Sequence, residues 1–348
     1  MDKIEKIFKR SIEVFKECSL RNGAIVASNI YDPDYPKEVK NYFFVWPRDA
    51  SFVCYACDLL KIKKIPEKFF EWCWQAERFK EEGIFYMRYY PSGKMYGKQF
   101  QPDQLGILLW EIYNHSEIFS TNEFNDLAKK IAEGICKSWK GECFRRHYDL
   151  WEERVASPKR KENFTYSLAI CIKGLECALK LLGENKRWEE CLKQMKAKIE
   201  KAYDEESKCF VRMFNSKKDK TIDSSLLGLV WPSEIFEAND PRIISTVEKI
   251  IKENSIEGKG IMRYKGDKYA GFLRRKEGGA WPVLNFWLSI YFCLAGKRDK
   301  ALEYFNWVIE RAEEKLPEQI KNGKPASIIP LAWSHAMFII AGKFLNLF

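Results

Sequence analysis

Histidine is scarce in this chain of 348 residues: only His115, His147 and His335 occur, and no two are spaced to share a metal ion. No protein-built metal site is expected, and nothing in the pattern calls for a cofactor. Long apolar runs are missing as well. The best candidate, 332–341, is broken by Ser334 and His335 and falls short of the roughly 20 residues a membrane span needs. The first residues, Met1-Asp2-Lys3-Ile4-Glu5-Lys6, alternate charge with apolar side chains and lack the continuous apolar core of a secretory leader. These absences point to a cytoplasmic protein without a membrane partner. Zinc-finger, RNP-type and helix-turn-helix signatures are absent too, and no internal sequence repeat marks a solenoid.

What the chain does have is apolar and aromatic mass. At 46% hydrophobic and 15% aromatic residues it can bury a large core. The net charge of +10 comes from lysines spread along helical stretches together with glutamates, the signature of solvated faces rather than of a nucleic-acid stripe. Eleven cysteines, an odd number, fall mostly on apolar helical faces and read as reduced core thiols. The single CxxC, Cys54 to Cys57, has no partner motif and reads as two packed thiols one turn apart.

Apolar residues recur at helical spacing in twelve stretches: 2–18, 49–61, 66–80, 103–118, 123–139, 163–183, 185–203, 221–229, 239–253, 280–296, 298–313 and 329–345. Pro66, Pro102-Asp103 and Asp240-Pro241 punctuate helix starts, and Gly183 and Gly296 punctuate ends. Connections entering the even-numbered helices are long, while those leaving them are mostly short. Twelve antiparallel helices satisfy that rule as an all-α (α/α)6 barrel, with even helices inside, odd helices outside and all long loops on one face. The site is expected on that face.

Those long loops carry carboxylates beside indoles and arginines: Trp46-Pro47-Arg48-Asp49, Gln101-Pro102-Asp103, Asp149-Leu150-Trp151-Glu152-Glu153, Arg263-Tyr264 with Asp267, Ala280-Trp281-Pro282, Leu316-Pro317-Glu318-Gln319 and Trp333-Ser334-His335. Each alone has a bland explanation as a cap, a solvated charge or a core ring. Their recurrence before inner helices suits a carbohydrate pocket, in which rings stack on sugar faces and charged forks bind vicinal hydroxyls.

At these residues, from about Tyr42 to Ala341, the chain resembles glycoside hydrolase family 15, the glucoamylase family. The resemblance implies Glu152 as general acid and Glu318 as general base. It further implies a substrate-binding set made of Trp46, Arg48, Asp49, Asp103, Trp151, Glu153, Arg263, Asp267, Trp281 and Trp333, with no metal and no cofactor. The expected activity is inverting, exo-acting hydrolysis of α-glucans or maltooligosaccharides, with an oligosaccharide or disaccharide as partner. Trehalose hydrolysis by the same pair and a non-catalytic glucan-binding or regulatory barrel are the alternatives. Inversion requires roughly 6.5–9.5 Å between the carboxyl groups. Burial beside Trp151 and the charge of Glu153 should keep Glu152 protonated, while Glu318, on the water side, should stay ionised.

Two departures from the family pattern stand out. Only 40 residues precede the first motif, too few for the N-terminal β-sandwich domain common in prokaryotic members, so residues 1–348 are expected to form a single catalytic barrel. The loop after the acid, 154–163, is long and basic. Its Lys159-Arg160-Lys161, with Arg274-Arg275-Lys276, is a candidate rim for anionic sugars.

Overall fold

The computed structural model describes residues 2–215, 219–271 and 278–348. The Arg274-Arg275-Lys276 cluster lies outside the described residues. In chain order the helices are α1 (Lys3–Cys18), α2 (Pro47–Leu59), α3 (Lys64–Cys73), α4 (Phe79–Glu82), α5 (Asp103–Phe119), α6 (Asn125–Ser138), α7 (Thr165–Leu182), α8 (Lys186–Ile199), α9 (Pro241–Asn254), α10 (Pro282–Leu294), α11 (Arg298–Arg311) and α12 (Ala332–Phe344).

Two of the expected helices differ. The third stops at Cys73, and only a single turn, α4, follows Arg78, whose backbone is left-handed at φ 67°. The eighth is a 3₁₀ turn, Ser224–Leu229, rather than an α-helix. Ser224, Ser225 and Gly228 form helix poorly, and Pro232 bars its continuation.

Packing closes a ring: α2 lies against α5, α5 against α7, α7 against the 3₁₀ turn, the turn against α10, α10 against α12, and α12 back against α2. Around it, α1 packs on α12, α3 on α2, α6 on α5 and α7, α8 on α7, α9 on the turn, and α11 on α10. This is the expected (α/α)6 barrel, with the even-numbered stretches inside.

Sequence explains the division. Inner helices are apolar all round, as in α10, where Pro282 through Phe292 are all buried. Outer helices bury one stripe, as in α1, where Ile7, Ser11, Val14, Phe15 and Cys18 face inward. The inner pair α5 and α7 meet at Gly106 and Gly174, where a β-carbon on Gly106 would stand 2.4 Å from the Ile170 carbonyl oxygen. The only sheets among the described residues are five two-stranded ribbons, with strands two or three residues long, in the long loops. The eleven cysteines are free thiols.

Candidate active site

Long loops place their aromatic and charged side chains around one cavity of about 90 Å³. Glu152, Glu318, Trp46, Arg48, Asp49, Trp151, Arg263, Trp281 and Trp333 all line it. They arrive from six separate places in the chain, so the closure of the helical ring is what brings them together. A larger surface groove, about 1270 Å³, runs past Lys3, Lys6 and Lys315, but it has no pair of carboxylates set among indoles.

Glu152 sits at the tip of a tight turn with φ 65°, a left-handed conformation that a non-glycine residue adopts only when its surroundings enforce it. Asp149 enforces it. Its Oδ1 accepts from the backbone N–H of Glu153 (2.8 Å) and Arg154 (3.0 Å), and its carbonyl accepts from Glu152 N–H (3.1 Å). Arg212 Nη2 donates to Asp149 Oδ2 at 2.6 Å, and Asp223 accepts the Trp151 indole N–H at 3.1 Å. Beyond the turn, Val155 and Ala156 pair back to Tyr148 and His147, closing the loop as a ribbon.

At the tip, Glu152 Oε1 accepts a 2.5 Å hydrogen bond from Trp46 Nε1. Burial raises its pKa, while the Arg48 charge, the Trp46 bond and the Arg88 charge pull it down. The like charge prominent at Glu152 is Asp149, not Glu153 as expected.

Glu318 is held by a different loop, the one entering α12. Its backbone N–H donates to the Ile328 carbonyl at 2.8 Å, one strand position from the Gln319–Lys321 and Lys324–Ala326 ribbon. Tyr42 donates to Oε1 at 2.7 Å and Ser327 to Oε2. Tyr269 joins the Tyr42 hydroxyl, extending the chain of hydroxyls. The expectation that Glu318 faces water is corrected by its burial, at 1% exposed. Burial pushes its pKa up to about 7, against the opposing pull of the Ser327 and Tyr42 bonds and of Arg263 and Lys40.

Arginines stack on the indoles and are fixed by carboxylates behind them. Arg48 lies 5.3 Å from the Trp333 ring, donates Nε to Asp49 (3.1 Å), and reaches Asp103 through Nη1 (3.1 Å). Arg263 is packed among Trp151, Tyr269 and Trp281, with both donors to Asp267 at 2.6 Å and Nη2 to Glu153 at 2.8 Å. Asp103 and Asp267, both buried, therefore stand behind the lining, and Glu153, exposed, stands outside it, each spent on a guanidinium. Asp103 is also the first residue of α5 rather than its cap.

Tyr42, Lys40, Arg88 and Tyr269 also line the cavity, and Ser327 stands behind it on Glu318; all five were missed as site residues. Tyr42 and Tyr269 lie in the long loops that enter α2 and α10, but hydroxyls carry no spacing signal. None of Lys159, Arg160 and Lys161 lines the cavity; Arg160 pairs with Glu162 at 2.6 Å and Lys161 with Glu142. No group of three or more His, Cys, Asp or Glu among the described residues is arranged to hold a metal ion.

A closed ring of helices that delivers the carboxylates Asp49, Glu152 and Glu318, four indoles and two clamped guanidinium groups to one cavity defines a glycoside hydrolase barrel. A family model described as glycosyl hydrolases family 15 matches residues 10–343, and the chain belongs to that family. An uncharacterized glycosyl hydrolase of Methanocaldococcus jannaschii is 32% identical over 97% of this chain and 56% of its own length. The isomaltose glucohydrolase of Kribbella flavida is 24% identical over 71% of this chain and 65% of its own. The trehalase of Thermoplasma volcanium is 26% identical over 68% of this chain and 38% of its own. The chain thus spans less than two thirds of the length of each of these relatives.

Among solved structures, a glycosidase superposes with a TM-score of 0.81 at 19% identity, covering 99% of this chain and 97% of that one. A bacterial glucoamylase in complex with acarbose gives 0.76 at 20% identity, covering 97% of this chain and 55% of that one. At these identities the likeness concerns the fold.

Proposed function

We propose that this barrel is an inverting, exo-acting α-glucoside hydrolase that releases glucose from the non-reducing ends of α-glucans or maltooligosaccharides. Glu152 is the general acid and Glu318 the general base. The observation that carries this reading is the pair of carboxyl groups, Glu318 buried and Glu152 half-buried, delivered by separate loops to one indole-lined cavity. In the reaction, protonated Glu152 gives its proton to the departing glycosidic oxygen. Ionised Glu318 takes a proton from the water that attacks the anomeric carbon on the opposite face. Arg48, Asp49 and Arg263 in the lining bind hydroxyls of the terminal sugar, while Trp46, Trp151, Trp281 and Trp333 stack on its faces. Asp103, Asp267 and Glu153 serve by orienting Arg48 and Arg263. The ring acts as one catalytic domain and needs no metal.

A second substrate reading, trehalose, is supported by the trehalase relative and uses the same acid and base. Purified protein incubated with maltose, maltotriose, isomaltose and trehalose, with the first-formed glucose anomer followed by NMR, tests both. β-Glucose from the maltooligosaccharides is the expected product. Release from trehalose but not maltose would reverse the order, and α-glucose would end the inverting assignment. Hydrolysis unchanged in both Glu152→Gln and Glu318→Gln would end the catalytic assignment and favour a glucan-binding barrel.

A further inference from the structure

Arginines in this site are otherwise paired. Arg48, Arg212 and Arg263 each lie within 3.1 Å of a carboxylate. Arg88 also lines the cavity, yet among the described residues no carboxylate lies within ion-pair distance of it. Its guanidinium carbon lies 4.2 Å from the Tyr96 ring centroid, 5.1 Å from Phe44 and 5.3 Å from Trp46, and its Nε is buried without a hydrogen-bond partner. The rings hold the cation in place without neutralising it.

Lys40 is a second such cation. It lines the same cavity, its Nζ lies 4.6 Å from the Tyr269 ring, and no described carboxylate pairs with it. The two are ends of one arc: Lys40 on Tyr269, Tyr269 on the Tyr42 hydroxyl, Tyr42 against Trp46 at 5.2 Å, and Trp46 under Arg88. Arg88 stands on the side of Glu152, and beyond it Tyr90 and Tyr96 reach solvent, at 41% exposure each. That is the side on which the departing group leaves.

An unpaired cation next to a general acid works against it, because it favours the ionised form; Arg88 stands in that position through Trp46, which donates to Glu152, while Lys40 lies toward Glu318. An anion arriving with the substrate removes that conflict, since it neutralises Arg88 and favours the protonated form of Glu152, while Lys40 adds to the positive potential that draws the anion to the cavity. We infer that the cavity mouth selects glucosides whose leaving-group portion carries an oxyanion, a phosphate or a carboxylate, held by Arg88 and Lys40. This rests on the hydrolase reading above and names its substrate class. The guanidinium fork matches either oxyanion, while the lysine adds charge without fixed geometry.

Matched substrates test it. Maltitol against maltobionate compares a hydroxyl with a carboxylate; maltose against maltose phosphorylated at C6 of the reducing-end glucose tests a phosphate. At about 20 mM salt the charged member of at least one pair should show kcat/KM about tenfold higher, the ratio falling toward one at about 0.5 M. Arg88→Gln and Lys40→Gln should each cut that ratio several-fold. If Arg88→Gln does not fold, the salt dependence and Lys40→Gln decide. Ratios at or below one for both pairs, or ratios untouched in both variants, would overturn the inference while leaving the hydrolase standing. Failure of every neutral and charged glucoside to react would instead remove the hydrolase reading, and this one with it.

Discussion

Glu318 carries a conflict between its surroundings and the role proposed for it. A general base must be ionised, yet burial lifts this carboxyl to about 7, and only the Tyr42 and Ser327 hydroxyls, with Arg263 and Lys40, oppose that rise. Both hydroxyls donate to the carboxylate and so favour its charged form. The sign follows: kcat/KM should fall as pH drops through about 7, because Glu318 then takes up a proton in the free enzyme. Removing a donor should worsen the conflict. Tyr42→Phe and Ser327→Ala are each expected to move this acidic limb upward by roughly 0.5–1 pH unit, and to lower kcat/KM at pH 6 by about three- to tenfold, less at pH 8. A pH–rate profile of each variant checks this, and a limb left in place would detach the hydroxyls from the base.

Elements matter here through the loops they carry. The left-handed turn at Glu152 is held by Asp149, which gathers two backbone donors and the Arg212 guanidinium. Asp149→Ala removes all three anchors from a residue that does not line the cavity. The expected result is kcat lower by about 10²-fold, with KM changed far less, because Glu152 loses its position while the sugar-binding rings stay. Steady-state kinetics separates the two. Below the loops, α5 and α7 touch backbone to backbone at Gly106. Gly106→Ala forces those helices apart and should cost about 1–3 kcal/mol in denaturant unfolding. The helices themselves were legible because their apolar spacing is local and long. The Ser224–Leu229 turn was not, since a short, buried, serine- and glycine-containing run has too few residues to show a period. The carboxylates Glu152 and Glu318 stood out beside Trp151 and Pro317. Tyr42, Arg88, Tyr269 and Ser327 did not, because only ring closure brings them to the acid and base. The burial of Glu318 was misjudged for the same reason: exposure is a property of the assembled cavity.

At the scale of the whole molecule, the barrel exists only if its ends meet, and they meet at α12. This helix packs on α2 to close the inner ring and on α1 outside it. His335 sits at that seam, its Nδ1 2.8 Å from Ser11 Oγ on α1 and its Nε2 accepting the Leu316 backbone N–H at 2.9 Å, two residues before Glu318. An imidazole that accepts at Nε2 must be neutral with its proton on Nδ1, donated to Ser11. Burial enforces this, pushing its pKa down to about 3, helped by the Arg10 and Lys315 charges. The unfolded chain, by contrast, takes up a proton at this residue near pH 6.5. The folded pKa is thus depressed: the stability that His335 contributes is present above about 6.5 and is lost progressively as pH falls toward 3. His335→Gln can keep one hydrogen bond but no longer titrates. Its stability at pH 7 should be lower by about 1–3 kcal/mol for the lost bond and packing. The slope of unfolding free energy between pH 6 and 4 should flatten by about 1.4 kcal/mol per pH unit, one proton's worth. Denaturant titrations across that range measure both quantities. An unchanged slope would place the seam's acid sensitivity elsewhere, with His147, also buried and pushed down to about 4, as the residue to replace next.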